Sequence, residues 1–294
     1  MGHVDESFEA ARQITQKFAR SFYFASKALD PETRNACYAV YAFCRSADDA
    51  VDLLAERNET AQEALRPYFT YISALQGDPK DKNEALPKWW EAWAATVRRY
   101  DIPIVYFEEL LKGLAMDQGR VRIADGQELR LYCYRVASVV GMMLTHIFVR
   151  NPSAELLQYA EAMGRAMQLT NILRDVAEDW ERDRIYLPQS ELKAFGVDEE
   201  SIASRRMTKA LRGYLRAKVF EARGYYREAE RGIRELPRGR IRLAVWIMRY
   251  VYGGILDVIE EREYDIFSSR AYVSFPRKIV LAFQAFRAER MSDL

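Results

Sequence analysis

Between Cys37 and Leu54 the apolar side chains Cys37, Val40, Cys44, Ala47, Val51 and Leu54 recur at steps of three and four residues. Only an α-helix brings that spacing to one face. A second stripe, Tyr41, Arg45, Asp48 and Asp52, runs beside it at the same steps. It lies about 100° around the helix, so it borders the core rather than facing away from it. Carboxylates one turn apart repel each other by about 0.2–0.5 kcal/mol on a hydrated helix, and by more where water is scarce. A chain that keeps them there borders a cavity in which something positive offsets the repulsion.

The pattern returns from Ser153 to Arg182. Its apolar stripe is Ala162, Ala166, Leu169, Leu173, Val176 and Trp180, and its polar stripe is Gly164, Gln168, Asn171, Asp175 and Asp179, flanked by Arg174 and Glu178. One such acid pair is commonplace on a solvated helix. Two pairs on separate helices, each beside an apolar stripe and an arginine, point to a site. Mg²⁺ takes one or two protein carboxylates and fills its octahedron with water and phosphate oxygens. The two pairs therefore predict a cluster of Mg²⁺ ions around a diphosphate, with Arg45 and Arg174 reaching its oxygens in the bidentate manner open to arginine.

The rest of the chain reads as helix. Gly and Pro together make up 23 of 294 residues, too few for a turn-rich β fold, and strand-like alternation is hard to find. Helix starts are marked by Asp30-Pro31-Glu32, Asn151-Pro152-Ser153 and Val197-Asp198-Glu199-Glu200. Breaks are expected near residues 25–30, 55–58, 77–87, 100–103, 119–127, 150–153, 183–189, 195–198, 236–239 and 264–276. Pro67 kinks or starts a helical run. With no long linker and no fixed-period repeat, one helical domain over residues 1–294 is expected.

Several functions lack material. Lys and Arg number 44 against 43 Asp and Glu, giving a net charge of +1 and no nucleic-acid footprint. Cys37, Cys44 and Cys133 are odd in number and have no CxxC spacing, which argues against a disulfide framework and for a reducing, cytoplasmic setting. His3 and His146 are the only histidines, and neither follows a Glu by three, so His-rich metal sites, di-iron bundles and His-dependent nucleophiles are disfavoured. The N-terminus lacks an apolar signal region. The longest apolar stretch, Val136 to Val149, is too short for a membrane span.

"CRSADDAVD" (Cys44 to Asp52) and "QLTNILRDVAEDWERDRIYLP" (Gln168 to Pro188) resemble the squalene/phytoene synthase family. The resemblance continues through "ARSFYFASKALDPETR" (Ala19 to Arg34), "LYCYRVASVVG" (Leu131 to Gly141) and "YVYGGILDVIEEREYDIFSSRAYVS" (Tyr250 to Ser274), so it covers nearly the whole chain. It implies an all-α isoprenoid synthase fold with a central cavity. It also implies a Mg²⁺-dependent prenyltransferase that joins two identical prenyl diphosphates head to head through a cyclopropylcarbinyl diphosphate. Carried over position by position, it makes Asp48, Asp52, Asn171, Asp175 and Asp179 the metal-associated residues, with Arg45 and Tyr41 also catalytic. Arg20, Ser21, Phe22, Tyr41, Arg45, Tyr132, Val136, Gln168, Arg174, Tyr186 and Tyr252 would bind substrate.

Asp49 falls off the main stripe, and Arg270 either reaches the site or is solvated. Phe18 stands where a polar residue is usual, and Arg135 and Ser138 stand where small residues are usual. Ser26, one turn beyond Phe22, suggests room for a longer chain and favours a twenty-carbon donor slightly. Farnesyl diphosphate, giving squalene, hydroxysqualene or dehydrosqualene for hopanoid-type pathways, and geranylgeranyl diphosphate, giving phytoene for carotenoids, both stay open. Squalene would need NADPH. The alternatives are a non-catalytic helical assembly or binding relative of the family and a cyclising terpene synthase, the latter disfavoured by the DxxxD form of the second motif. The basic run from Arg205 to Lys218 is a solvated face or a peripheral seat on the inner face of a membrane. The sequence says nothing of oligomeric state.

Overall fold

The computed structural model describes residues 3–75, 77 and 86–291, and the expected break at 77–87 lies largely outside them. The first half is α1 (His3–Phe18), α2 (Arg20–Ser26), α3 (Pro31–Asp52), α4 (Leu54–Arg57), α5 (Ala61–Leu75), α6 (Trp90–Arg99) and α7 (Ile104–Leu114). A 3₁₀ turn at Ala115–Asp117 and strand β1 (Val121–Arg122) lead to α8 (Gly126–Cys133) and α9 (Val139–Phe148). Then come α10 (Ala154–Glu181), β2 (Arg184–Ile185), α11 (Gln189–Ala194), α12 (Glu199–Ala203), α13 (Lys209–Glu235), α14 (Arg240–Glu261) and α15 (Phe275–Met291). The fold is all-α, as expected.

The two acid-bearing helices start where the sequence marks them. Asp30 caps α3 by accepting the Thr33 N–H at 3.0 Å, with Pro31 in the first turn, and Ser153 caps α10 by accepting the Leu156 N–H at 3.1 Å. Both apolar stripes are buried, Trp180 alone only partly. That of α3 enters a core built around the stack of Phe43 on Trp93, with centroids 4.8 Å apart, and Phe107 edge-on to both. That of α10 enters a second core shared with α13, α14 and α15. The cavity described below lies between the two cores and takes its walls from both.

The structure corrects several expectations. Helix α8 runs into α9 through a π-helical turn at Tyr134–Ser138, giving a continuous helix from Gly126 to Phe148 that is long and apolar enough to cross a membrane. It packs against α3, α7 and α10 and lines the cavity, the position of a core helix. The π turn is pinched between two glycines. A Cβ on Gly164 would lie 2.4 Å from Ser138 Cα, and one on Gly113 would lie 2.6 Å from Arg135 Cβ. Neither Arg135 nor Ser138 shapes the cavity: Arg135 donates to Glu109 at 3.0 Å, and Ser138 donates to the Glu161 carbonyl at 2.9 Å.

Strands β1 and β2 pair in parallel, Val121 with Arg184 and Arg122 with Ile185. Two residues are too few for alternation to register. Breaks at Ala19 and at 204–208 also went unmarked. In the basic run, Arg212 is paired with Glu263 at 2.9 Å, and Lys218 is buried between Glu191 at 2.6 Å and Glu221 at 2.8 Å. Arg205 is paired with Glu181. Arg206, Lys209 and Arg216 of the same run stand exposed.

Candidate active site

One cavity of about 1310 Å³ runs between the cores. Every residue carried over from the sequence lines it: Arg20, Ser21, Phe22, Tyr41, Arg45, Asp48, Asp52, Tyr132, Val136, Gln168, Asn171, Arg174, Asp175, Asp179, Tyr186 and Tyr252. Along α10 the lining extends from Leu156 to Asp179, a length of about 35 Å at 1.5 Å per residue. The carboxylates occupy one end. The other is apolar, walled by Leu144, Phe148, Leu156, Met163, Leu236 and Met248.

At the polar end Asp48, Asp52 and Asp175 are each held by arginine. Arg45 donates to Asp48 at 2.8 Å and also to Asp49, which lies outside the cavity lining. Asp52 accepts from Arg182 at 2.9 Å and from Arg184 at 3.3 Å, which ties the end of α3 to the chain leaving α10. Asp175 accepts from Arg174 Nε at 2.7 Å and from Arg270 Nε at 2.8 Å, so Arg270 reaches the site from the loop before α15. Arg182, Arg184 and Asp117 were not singled out from the sequence. The arginines lie past the end of α10, beyond any helical spacing. Asp117 sits in the 3₁₀ turn with no acidic partner at i+4. The Arg-x-Arg pattern of "ERDRIY" was the available signal.

Asp117 organises the wall. Its carboxylate accepts from the Tyr186 hydroxyl at 2.7 Å and the Tyr132 hydroxyl at 3.1 Å, and the two rings stack with centroids 4.7 Å apart. Burial pushes its pKa up to about 6, and the charge of Asp52 adds to the rise. Burial likewise raises Asp48 to about 7, reinforced by Asp52 and Asp117 against the pull of Arg45, and raises Asp179 to about 7, reinforced by Asp175 and Asp117. Asp175 goes the other way. Its burial is overcome by Arg174 and Arg270, which hold its pKa below the usual carboxylate value. These mutual perturbations place Asp117 within electrostatic reach of acids from both helices.

The rim and floor are aromatic. Phe22 lies 5.7 Å from Tyr41, and Phe18 lies under the Arg45 guanidinium at 4.7 Å, a cation–π contact that accounts for an aromatic ring at that position. Burial drives the hydroxyl pKa values of Tyr41 and Tyr252 upward, so both stay neutral. Ser26 does not widen the cavity. It is buried outside the lining, donating to the Tyr23 carbonyl at 3.0 Å and sharing a 2.9 Å hydrogen bond with the Tyr38 hydroxyl.

The donors suit a hard cation bound together with an anion. They are oxygens alone, and among the described residues no three His, Cys, Asp or Glu side chains converge on one point. An ion would therefore find few protein ligands and would complete its shell elsewhere. Three buried polar atoms of this same cavity, Asn171 Oδ1, Arg45 Nε and Arg184 Nε, have no hydrogen-bond partner. An acceptor and two donors so placed match a metal-bound, multiply charged ligand.

The family described as squalene/phytoene synthase matches residues 15–277. The chain is 36% identical over 289 residues to 15-cis-phytoene synthase of Synechocystis sp., spanning 94% of this chain and 83% of that protein. It is 36% identical over 282 residues to the chloroplastic phytoene synthase of Daucus carota, spanning 94% of this chain and 69% of the relative. A solved dehydrosqualene synthase in complex with ligand matches with a TM-score of 0.88 at 28% identity, over 98% of both chains.

Proposed function

The chain belongs to the squalene/phytoene synthase family, and on that premise we propose that it is a prenyltransferase joining two geranylgeranyl diphosphates head to head to give phytoene. The observation that carries the reading is the convergence of both acid pairs and five arginines at the polar end of one long apolar cavity. The twenty-carbon donor is preferred because the phytoene synthases are the more similar in sequence. Farnesyl diphosphate is the second reading, favoured by the likeness to the dehydrosqualene synthase.

Arg45, Arg174, Arg182, Arg184 and Arg270 exchange their carboxylate partners for diphosphate oxygens and hold the departing group. Asp48 and Asp52 on one helix, and Asn171, Asp175 and Asp179 on the other, would hold two or three Mg²⁺ ions, which when bound neutralise the leaving diphosphate. The allylic cation left behind lies against the faces of Phe22, Tyr41, Tyr132, Tyr186 and Tyr252. Gln168 and Val136 place the second prenyl chain, whose double bond attacks the cation; the tertiary cation so formed loses a proton as the three-membered ring closes, giving the cyclopropylcarbinyl diphosphate. A second ionisation and rearrangement, ended by loss of a proton, gives the triene core of phytoene. Arg20 and Ser21 position the second diphosphate, and the apolar walls keep water from both cations. No hydride donor takes part, whereas a squalene product would need NADPH.

The test is incubation with Mg²⁺ and each prenyl diphosphate, with product identified by mass spectrometry and diphosphate release followed in time. Asp48→Asn and Asp175→Asn are expected to keep wild-type helicity by circular dichroism and to lose turnover by about 10²-fold or more. Unchanged turnover in both would overturn the site. No diphosphate release from any prenyl donor by the wild-type chain would identify a non-catalytic binding relative.

A further inference from the structure

The last helix is turned inside out. A helix on the surface of a globular domain points its large apolar residues inward. In α15 the buried residues are Leu281 and Ala285, with Ala282 and Ala288 packed beside them on the core. Outward stand Ile279, Val280, Phe283, Phe286 and Met291, with Phe283 64% exposed. Phe275 begins the helix on the same ridge at 68% exposure, and Tyr272 stands just before it. An apolar ridge of this extent on a charged chain marks a surface that something covers.

The exposed charges that α15 itself carries have one sign, and the exposed carboxylates near it, Glu261 and Glu178, are paired with Arg277 and Arg270. Arg287 and Arg290 are exposed on α15, with Arg290 lying over the Phe286 ring at 4.9 Å. The one carboxylate of α15, Glu289, is turned inward, where it accepts the Gly239 N–H at 3.0 Å. At the other end the ridge meets the mouth of the cavity, since Tyr272, Phe275 and Lys278 line it. Phe275 packs edge-on against Phe24 of α2, with centroids 6.2 Å apart, and Arg20 of α2 and Lys27 just past its end add two cations to the same rim.

We propose that the outward face of α15 seats the protein on an anionic lipid bilayer, with the cavity mouth against the headgroups. Large apolar side chains flanked by Lys and Arg are what the headgroup boundary of such a membrane accepts. Each cation near that surface strengthens binding about fivefold. A second copy of the chain is the poorer occupant, because packing ridge on ridge would set cations against cations. Arg20 aside, the ridge and its charges stand apart from the proposed reaction, and only the advantage of a lipid-facing mouth rests on it.

The experiment is flotation of the full chain, without prenyl substrate, on vesicles of phosphatidylcholine with and without phosphatidylglycerol. The wild type is expected to float with the anionic vesicles and to be released by salt. Val280→Glu with Phe283→Glu lowers binding by about tenfold or more, while turnover of detergent-dispersed substrate and the circular dichroism spectrum stay unchanged. Phe220→Glu, on the exposed face of α13, leaves binding intact. The proposal falls if the wild type ignores anionic vesicles, if the double variant floats normally, or if Phe220→Glu does equal harm. It falls equally if sedimentation shows the double variant dissociating a dimer while lipid binding persists. A wild type that binds anionic vesicles but turns over no prenyl diphosphate would instead sink the proposed reaction.

Discussion

Asp117 holds two tyrosines at once, and no periodicity announces it. A lone acid between "LAM" and "QGR" has no helical partner, and its partners Tyr132 and Tyr186 lie 15 and 69 residues away in sequence. The acid pairs, by contrast, were legible because i, i+4 spacing on an α-helix fixes a shared face before any tertiary contact is known. The arginines of "ERDRIY" fall between these cases, visible as charges but unplaceable without the fold. Asp117→Asn keeps an acceptor for one tyrosine and offers the other an N–H. We expect it to fold normally and to lower kcat by about ten- to a hundredfold, the kinetic equivalent of one charge-assisted hydrogen bond. A steady-state comparison with Tyr132→Phe checks this, since the two changes act through one contact and should not add.

Among the elements, the helices whose ends carry a cap and whose stripe is long were readable to within a few residues, α3 and α10 above all. What stayed hidden depends on neighbours. The π turn at Tyr134–Ser138 exists where the helix is pressed between Gly113 and Gly164, and nothing in "YRVAS" itself demands it. Gly164→Ala would drive a methyl group into the Ser138 backbone and is expected to cost about 1–3 kcal/mol. Gly213 is the contrast: exposed in α13, with nothing within 4 Å of its would-be Cβ, so Gly213→Ala should stabilise by about 0.5–1 kcal/mol. Urea unfolding of the two variants beside the wild type measures both signs. α15 is the element sequence reading mistook by omission, because its small residues face in and its large ones face out.

For the whole molecule, the acidic end of the cavity sets how stability depends on pH. Asp48 and Asp179, raised to about 7, and Asp117, raised to about 6, bind protons in the folded chain that the unfolded chain has released by about pH 4 to 5. Above about pH 5 the folded state therefore holds more protons, and stability falls as pH rises from there to about pH 7. His146 opposes this, since burial lowers its pKa, and below about pH 5 the carboxylates that arginines and hydrogen bonds hold low, Asp175 and Glu9 among them, oppose it as well. The ligand-free chain should melt several degrees higher at pH 5.5 than at pH 8, and a scan showing the reverse would remove the basis for these shifts. The fold class and the shared cavity were within reach of the sequence because two stripes and a dearth of breakers dictate them. The charge balance inside the cavity was not, because it depends on which arginine meets which acid.

That matching has a consequence for ligands. Asp52 sits between Arg182 and Arg184, and Asp175 between Arg174 and Arg270, so the pocket at rest is its own counter-ion. An anion arriving alone would draw the arginines off and strand bare acids, and a divalent cation arriving alone would displace guanidinium groups with nothing to receive them. Only the joint arrival of both leaves every charge answered. Occupancy is therefore expected to be synergistic, each species raising the affinity for the other, and calorimetric titration of Mg²⁺ and inorganic diphosphate, singly and together, checks it.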